Sequence, residues 1–175
     1  MTQLGSDGTK FQDVVCEYLG CRRAPLGAPY DFSKNGKTFQ CKYSKRYVVH
    51  PKEVRAGHRK KTYRWVWQDI YGDSGSNTYD FLLLCGLQQE LRAPLAVDDC
   101  TFFLIPFAEI KEKHNRPRIE IGVESNDQCK PLTRLVLSKK LEAANLRAWV
   151  QGLNGNDSNE EPKPHKNSQT GFSFG

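Results

Sequence analysis

Residues 29–43 read Pro-Tyr-Asp-Phe-Ser-Lys-Asn-Gly-Lys-Thr-Phe-Gln-Cys-Lys-Tyr, and the Asn35-Gly36 pair at their centre decides how the chain is read. An Asn-Gly dipeptide between alternating segments favours a two-residue type I′ hairpin turn, because both central residues must take positive φ. Such a turn pairs Lys34 with Lys37, and stepping outward brings Asp31 opposite Gln40. Side chains alternate faces along a strand, so Gln40 and Lys42 share the face of Asp31, while Phe39, Cys41 and Tyr43 turn to an apolar face. Directly opposed Cβ atoms lie about 5 Å apart and diagonal neighbours about 7–8 Å, so Asp31, Gln40 and Lys42 converge on one small ligand. A carboxylate, an amide oxygen and an ammonium group on a rigid ribbon suit a divalent-metal phosphodiesterase site.

Upstream of the hairpin, residues 9–19 read as a helix with Phe11, Val14, Val15, Tyr18 and Leu19 as its apolar stripe and Gly20 as its stop. Asp13 and Glu17, four residues apart, share a flank of that stripe. Glu17 lies about 60° from Val14 on the helical wheel and is the acid expected at the core edge. Downstream, residues 79–87 and 101–106 are near-continuous apolar runs, the pattern of central strands covered on both faces. Residues 107–114 read as a short helix, and 119–123 and 132–137 as further strands. Ser138 is expected to cap a last helix reaching about Gln151, with Leu141, Ala144, Ala148 and Trp149 as its buried stripe. Helix, hairpin, strands and helix in this order predict a mixed α/β sandwich. From Asn154 onward Asn, Ser, Glu, Pro, Lys and Gly dominate, so residues 154–175 are expected to be a disordered polar tail.

The chain has 175 residues and a net charge of +6, and the positive excess is concentrated. Lys45, Arg46, Lys52, Arg55, Arg59, Lys60, Lys61 and Arg64 fall in one stretch opposed only by Glu53, with His50 and His58 between them. A cluster of this kind is the electrostatic footprint of a phosphate-backbone binder. The Trp65 and Trp67 that follow have the same-face spacing of a half-buried strand and are assigned to the core. The six cysteines are scattered without a C-x-x-C pair and read as buried thiols, not as a zinc or disulfide framework. No apolar stretch approaches the ~20 residues of a membrane span, and residues 1–7 lack the regions of a signal peptide. The expected location is intracellular: cytoplasmic, nucleoid-associated or organellar.

A helix bearing an acid, a strand with Asp, then a strand with an acid or amide, one residue and Lys, resembles the PD-(D/E)xK nuclease superfamily. The matching residues are Glu17, Pro29-Tyr30-Asp31 and Gln40-Cys41-Lys42, and the resemblance covers roughly residues 9–107. Two departures stand out: the Pro is two residues before Asp31, and Gln40 replaces the usual Glu or Asp, which lowers the negative charge offered to a metal. The Gln-x-Lys form, the small size and the basic segment are most similar to the small group-I-intron homing endonucleases. Asp80, in a second Tyr-Asp-Phe triplet at 79–81, is a rival carboxylate, but no acid-x-Lys or amide-x-Lys follows it and it reads as a strand-start residue.

The resemblance implies an α/β, restriction-endonuclease-like mixed β-sheet flanked by helices, in a single domain over residues 1–153. It implies Mg²⁺ held by Asp31, the Gln40 oxygen, the Cys41 backbone carbonyl, and Glu17 directly or through water, with Lys42 orienting the attacking water. Double-stranded DNA is the implied substrate, and a homo-oligomer, dimer or tetramer, is expected because cutting a duplex normally takes two active sites. Three other readings stay open: a type II restriction-like nuclease, a structure-specific resolvase or repair nuclease, and a non-catalytic DNA-binding protein that keeps the fold.

Overall fold

A computed structural model describes residues 4–72, 78–88, 96–124 and 130–152. The expected tail and Cys129 lie outside them. Helix α1 (Leu4–Leu19) leads into a short edge strand β1 (Arg22–Arg23) and the hairpin β2 (Phe32–Lys34) and β3 (Lys37–Ser44). Asn35 and Gly36 take φ of 49° and 70°, and the ladder pairs Lys34 with Lys37, Ser33 with Thr38 and Phe32 with Phe39. The turn therefore sets the register its sequence specifies. The regular ladder ends one step short of the expected pair: the Asp31 N–H donates to the Phe39 carbonyl (2.8 Å), one residue out of register. A bulge-like step of this kind re-aims a side chain at the end of a strand.

The chain continues through β4 (Tyr47–Val48), α2 (Pro51–Arg55), β5 (Tyr63–Trp67), β6 (Phe81–Leu87), β7 (Cys100–Pro106), α3 (Phe107–Lys113), β8 (Ile119–Gly122), α4 (Pro131–Ser138), β9 (Lys140–Leu141) and α5 (Ala143–Gln151). A six-stranded sheet runs in the order β1-β2-β3-β6-β7-β9, with β3 and β6 parallel and every other neighbour antiparallel. The fold is thus mixed α/β with a mixed sheet, as expected. The two unbroken apolar runs occupy its centre, and alternate residues of each serve two cores. Leu83, Cys85, Phe102 and Leu104 meet α1 and α5 through Phe11, Val15, Leu19, Leu146 and Val150. Leu82, Leu84, Phe103 and Ile105 face the opposite layer with Trp65, Trp67, Ile110, Ile119 and Val136.

That opposite layer contains a second sheet, β4-β5-β8, joined to the first where the Val66 N–H donates to Ser44 Oγ (2.7 Å). Trp65 and Trp67 are core residues, 4% and 0% exposed. Their indole N–H groups donate to the carbonyls of Leu87 (2.8 Å) and Cys85 (3.0 Å) on β6. Cys16, Cys41, Cys85 and Cys100 are buried free thiols and Cys21 is half-buried. Burial pushes the Cys21 and Cys100 thiols up to about 12, where they are protonated and unreactive.

Two expectations are corrected at the C-terminal end. Residues 132–137 are not a strand but the body of α4: Pro131 occupies its first turn, and Leu132, Leu135 and Val136 recur at helical spacing along the inner face. Ser138 ends this helix instead of capping the next, its Oγ donating to the Leu135 carbonyl (2.7 Å). The last helix starts later, at Ala143, after Lys140–Leu141 has paired with β7. Its buried stripe is accordingly Ala143, Leu146 and Val150, with Ala144 and Ala148 exposed and Trp149 edge-on against Phe81.

Candidate active site

β3 outruns β2, so from Cys41 onward its backbone has no strand partner on the β2 side. Two side chains take over. The Cys41 N–H donates to Asp31 Oδ2 (2.7 Å), and Gln12 Nε2 donates to the Cys41 carbonyl (3.2 Å). Gln40 Nε2 also donates to Asp31 Oδ2 (2.8 Å), and Gln40 is nearly fully buried at 4% exposure. The hairpin therefore brings Asp31, Gln40 and the Cys41 backbone into direct contact. Lys42 follows two residues after Gln40 on the same strand, half-buried, and its charge acts on the Asp31 carboxyl.

Desolvation dominates the electrostatics of Asp31 and raises its pKa above the ordinary carboxylate value. The Cys41 N–H, the Lys42 and Arg23 charges and a hydrogen bond from Gln12 pull the other way. A carboxylate held in this balance is partly withdrawn from water and prefers added positive charge. Arg23, on the edge strand, reaches back to α1: Nη1 donates to Gln12 Oε1 (3.3 Å) and Nε pairs with Asp13 (3.3 Å).

Glu17 does not join this group. It is exposed on α1, and the groups acting on Asp31 do not include it. The buried centre of the helix is Phe11, Val15 and Leu19, not Val14, and two residues beyond Val15 is a rotation of about 200°, the far side. Gln12, at about 60° from Val15 by the same 3.6-residue period, is the α1 residue that reaches the site. Asp80 is occupied elsewhere, Oδ2 accepting from the Thr38 N–H (2.8 Å) and Thr38 Oγ1 (3.0 Å) at the start of β6.

The basic segment occupies β4, α2 and the start of β5 and divides into two kinds of residue. Arg46, Arg59 and Arg64 are engaged within the protein. Arg46 Nε donates to the Leu87 carbonyl (3.2 Å) and its guanidinium lies over the Tyr63 ring, Arg59 pairs with Glu53, and Arg64 pairs with Glu120. Lys61 sits over the Tyr63 ring (5.1 Å), and Lys45 is half-buried beside Arg46. Lys52, Arg55 and Lys60 are exposed, with no charged partner found for them among the described residues.

Mg²⁺ takes hard oxygen donors, and this corner offers the Asp31 carboxylate, the Cys41 carbonyl and the side-chain amide of Gln40, whereas Gln12 turns its nitrogen to the corner and its oxygen to Arg23. These donors fit that ion in kind and carry one formal negative charge between them. Among the described residues no three His, Cys, Asp or Glu side chains gather as a metal-binding group. No helix of the described residues is long and apolar enough to cross a membrane. Compared with protein-family models, curated proteins and solved structures, the chain matches none.

Proposed function

We propose that this protein is a Mg²⁺-dependent endonuclease that hydrolyses phosphodiester bonds of double-stranded DNA, of the homing type and acting as a homo-oligomer. The observation that carries the reading is the corner at the end of the hairpin, where Asp31, Gln40 and the Cys41 backbone touch and Lys42 stands next along β3. Asp31, the Cys41 carbonyl and the Gln40 side-chain oxygen would hold the ion. Turning the Gln40 amide, so that its oxygen faces inward, adds a third oxygen donor without a backbone change. The bound metal would offset charge on the scissile phosphate and lower the pKa of a coordinated water. The Lys42 ammonium orients the attacking water and donates to the phosphate oxygens as negative charge grows on them. Water attacks phosphorus and gives up a proton to solvent, one phosphorus–oxygen ester bond breaks, and the leaving oxygen takes a proton from a solvent water to become a free hydroxyl.

Lys52, Arg55 and Lys60 are the residues proposed to meet the DNA backbone, because their charges are exposed and unengaged. Converting all three to Ala is expected to weaken binding uniformly across sequences. It should lower the slope of log K against log salt by roughly 0.9 for each phosphate that is no longer neutralised, without changing Tm. Titrations of a fluorescent duplex at several salt concentrations measure this.

A second reading has its own support: the partners of Asp31 are groups of the protein itself, and Glu17 supplies no second carboxylate, which suits a DNA-binding protein without cleavage. Supercoiled plasmid incubated with Mg²⁺ separates the two. Cleavage lowered about 10²-fold by Lys42→Ala, with DNA binding retained, supports the enzyme. Preference for branched over linear duplexes would point to a resolvase or repair nuclease. Binding without cutting in Mg²⁺, Mn²⁺ or Co²⁺ would leave the binder.

A further inference from the structure

The Gln12 side chain is held in one orientation by its surroundings. Arg23 has only donors, so the atom facing its Nη1 must be the amide oxygen, and the amide nitrogen then points at β3. There its N–H groups meet the Cys41 carbonyl at 3.2 Å and the Asp31 carboxyl. Turning the amide over would set its nitrogen against a guanidinium and its oxygen against two oxygens. Both contacts would be repulsive. The two oxygens that Gln12 satisfies are the carboxylate and the backbone carbonyl to which the proposed function assigns the metal.

We infer that the Gln12 amide nitrogen is a resident stand-in for the cation, a positioning residue that occupies the ion's place in the metal-free protein and must withdraw before a divalent metal binds. This rests on the metal-dependent function proposed for the same site and adds a consequence that function does not contain. Gln12 opposes the metal. An ordinary oxygen ligand would help it, so the sign of a single substitution distinguishes the two roles. Arg23 takes part indirectly, because its grip on Oε1 keeps the amide from turning its oxygen toward the ion.

The probe is Mn²⁺ alone, with the free ion measured by electron paramagnetic resonance on the intact protein. Gln12→Ala removes the competitor on a helix that tolerates Ala well, and is expected to bind Mn²⁺ about three- to tenfold more tightly, the range spanned by one net hydrogen bond. Gln12→Glu sets a second carboxylate beside Asp31, so the metal-free protein should melt lower, Mn²⁺ should bind more than about tenfold tighter, and the Mn²⁺-induced rise in Tm should exceed the wild-type rise. Gln12→Ala binding Mn²⁺ equally or more weakly than wild type overturns the inference and leaves the metal site standing. If wild type and both variants bind no Mn²⁺, the inference and the metal-dependent function fall together.

Discussion

Asp31→Asn is expected to lower plasmid cleavage by about 10²–10³-fold, the several kcal/mol that a metal-held phosphate contributes, and at the same time to make the protein more stable at neutral pH. The two effects share one origin. The Asp31 carboxyl is half-buried, and its pKa is raised chiefly by desolvation, so the folded protein holds this proton to a higher pH than the unfolded chain does. Stability therefore falls as pH rises from the ordinary carboxylate range through the raised value, and the ionised Asp31 is a liability above that window. The Cys41 N–H and Gln40 Nε2 both donate to Asp31 Oδ2, so an Asn oxygen in that position keeps both bonds. Tm at pH 7 should rise by about 2–4 °C, the equivalent of roughly 1 kcal/mol in a chain of this size. The gain should vanish as pH falls through the window, where wild-type Asp31 becomes neutral as well. Melting curves against pH for both proteins check the sign. A variant less stable than wild type at pH 7 would show that the carboxylate stabilises the fold instead.

Gly86→Val is expected to destabilise the fold by about 3 kcal/mol or more, at or beyond the upper end of overpacking effects. A Cβ added at Gly86 would lie 2.5 Å from Trp65 Cε2 and 2.7 Å from Cδ2 and Nε1. The indole has nowhere to go. Its Nε1–H is bound to the Leu87 carbonyl, and Phe103 meets it edge-on with ring centroids 5.7 Å apart. Gly86 is therefore present for space, letting the small sheet approach the large one on the layer that carries the basic segment. Urea denaturation measures the loss, and Gly86→Ala should show a smaller loss of the same sign. Wild-type stability in Gly86→Val would mean that the two sheets are not packed through Trp65.

The hairpin was legible because its information is local: Asn35 and Gly36 impose a conformation, and the register of β2 and β3 follows from it. The central strands were legible for a different reason, since burial on both faces leaves only apolar residues along β6 and β7. Of the small sheet, strands β5 and β8 are legible and their pairing is not. They pair Trp65 with Ile121 and Trp67 with Ile119 across more than fifty residues, and no local signal encodes that partnership. The stretch 132–137 is ambiguous because a short apolar run fits both periods, although Pro131 is a helix-start signal. At the site, Asp31 and Gln40 follow from the register, whereas Glu17 lies at the core edge only when the helical wheel is centred on Val14. Measuring from Val15, the buried centre, points to Gln12. An amide carries no charge to mark it as a ligand on the helix, and Arg23 sits on a two-residue edge strand that leaves no periodicity to read.

The most direct test of the metal-dependent site at Asp31 is conversion of supercoiled plasmid to nicked and linear forms by the intact wild-type protein in Mg²⁺, run beside Asp31→Asn and a chelated control. The account predicts cutting by wild type in Mg²⁺ and none detectable in the other two lanes. Plasmid bound but left intact by wild type in Mg²⁺, Mn²⁺ and Co²⁺, or cut equally by Asp31→Asn, would contradict it.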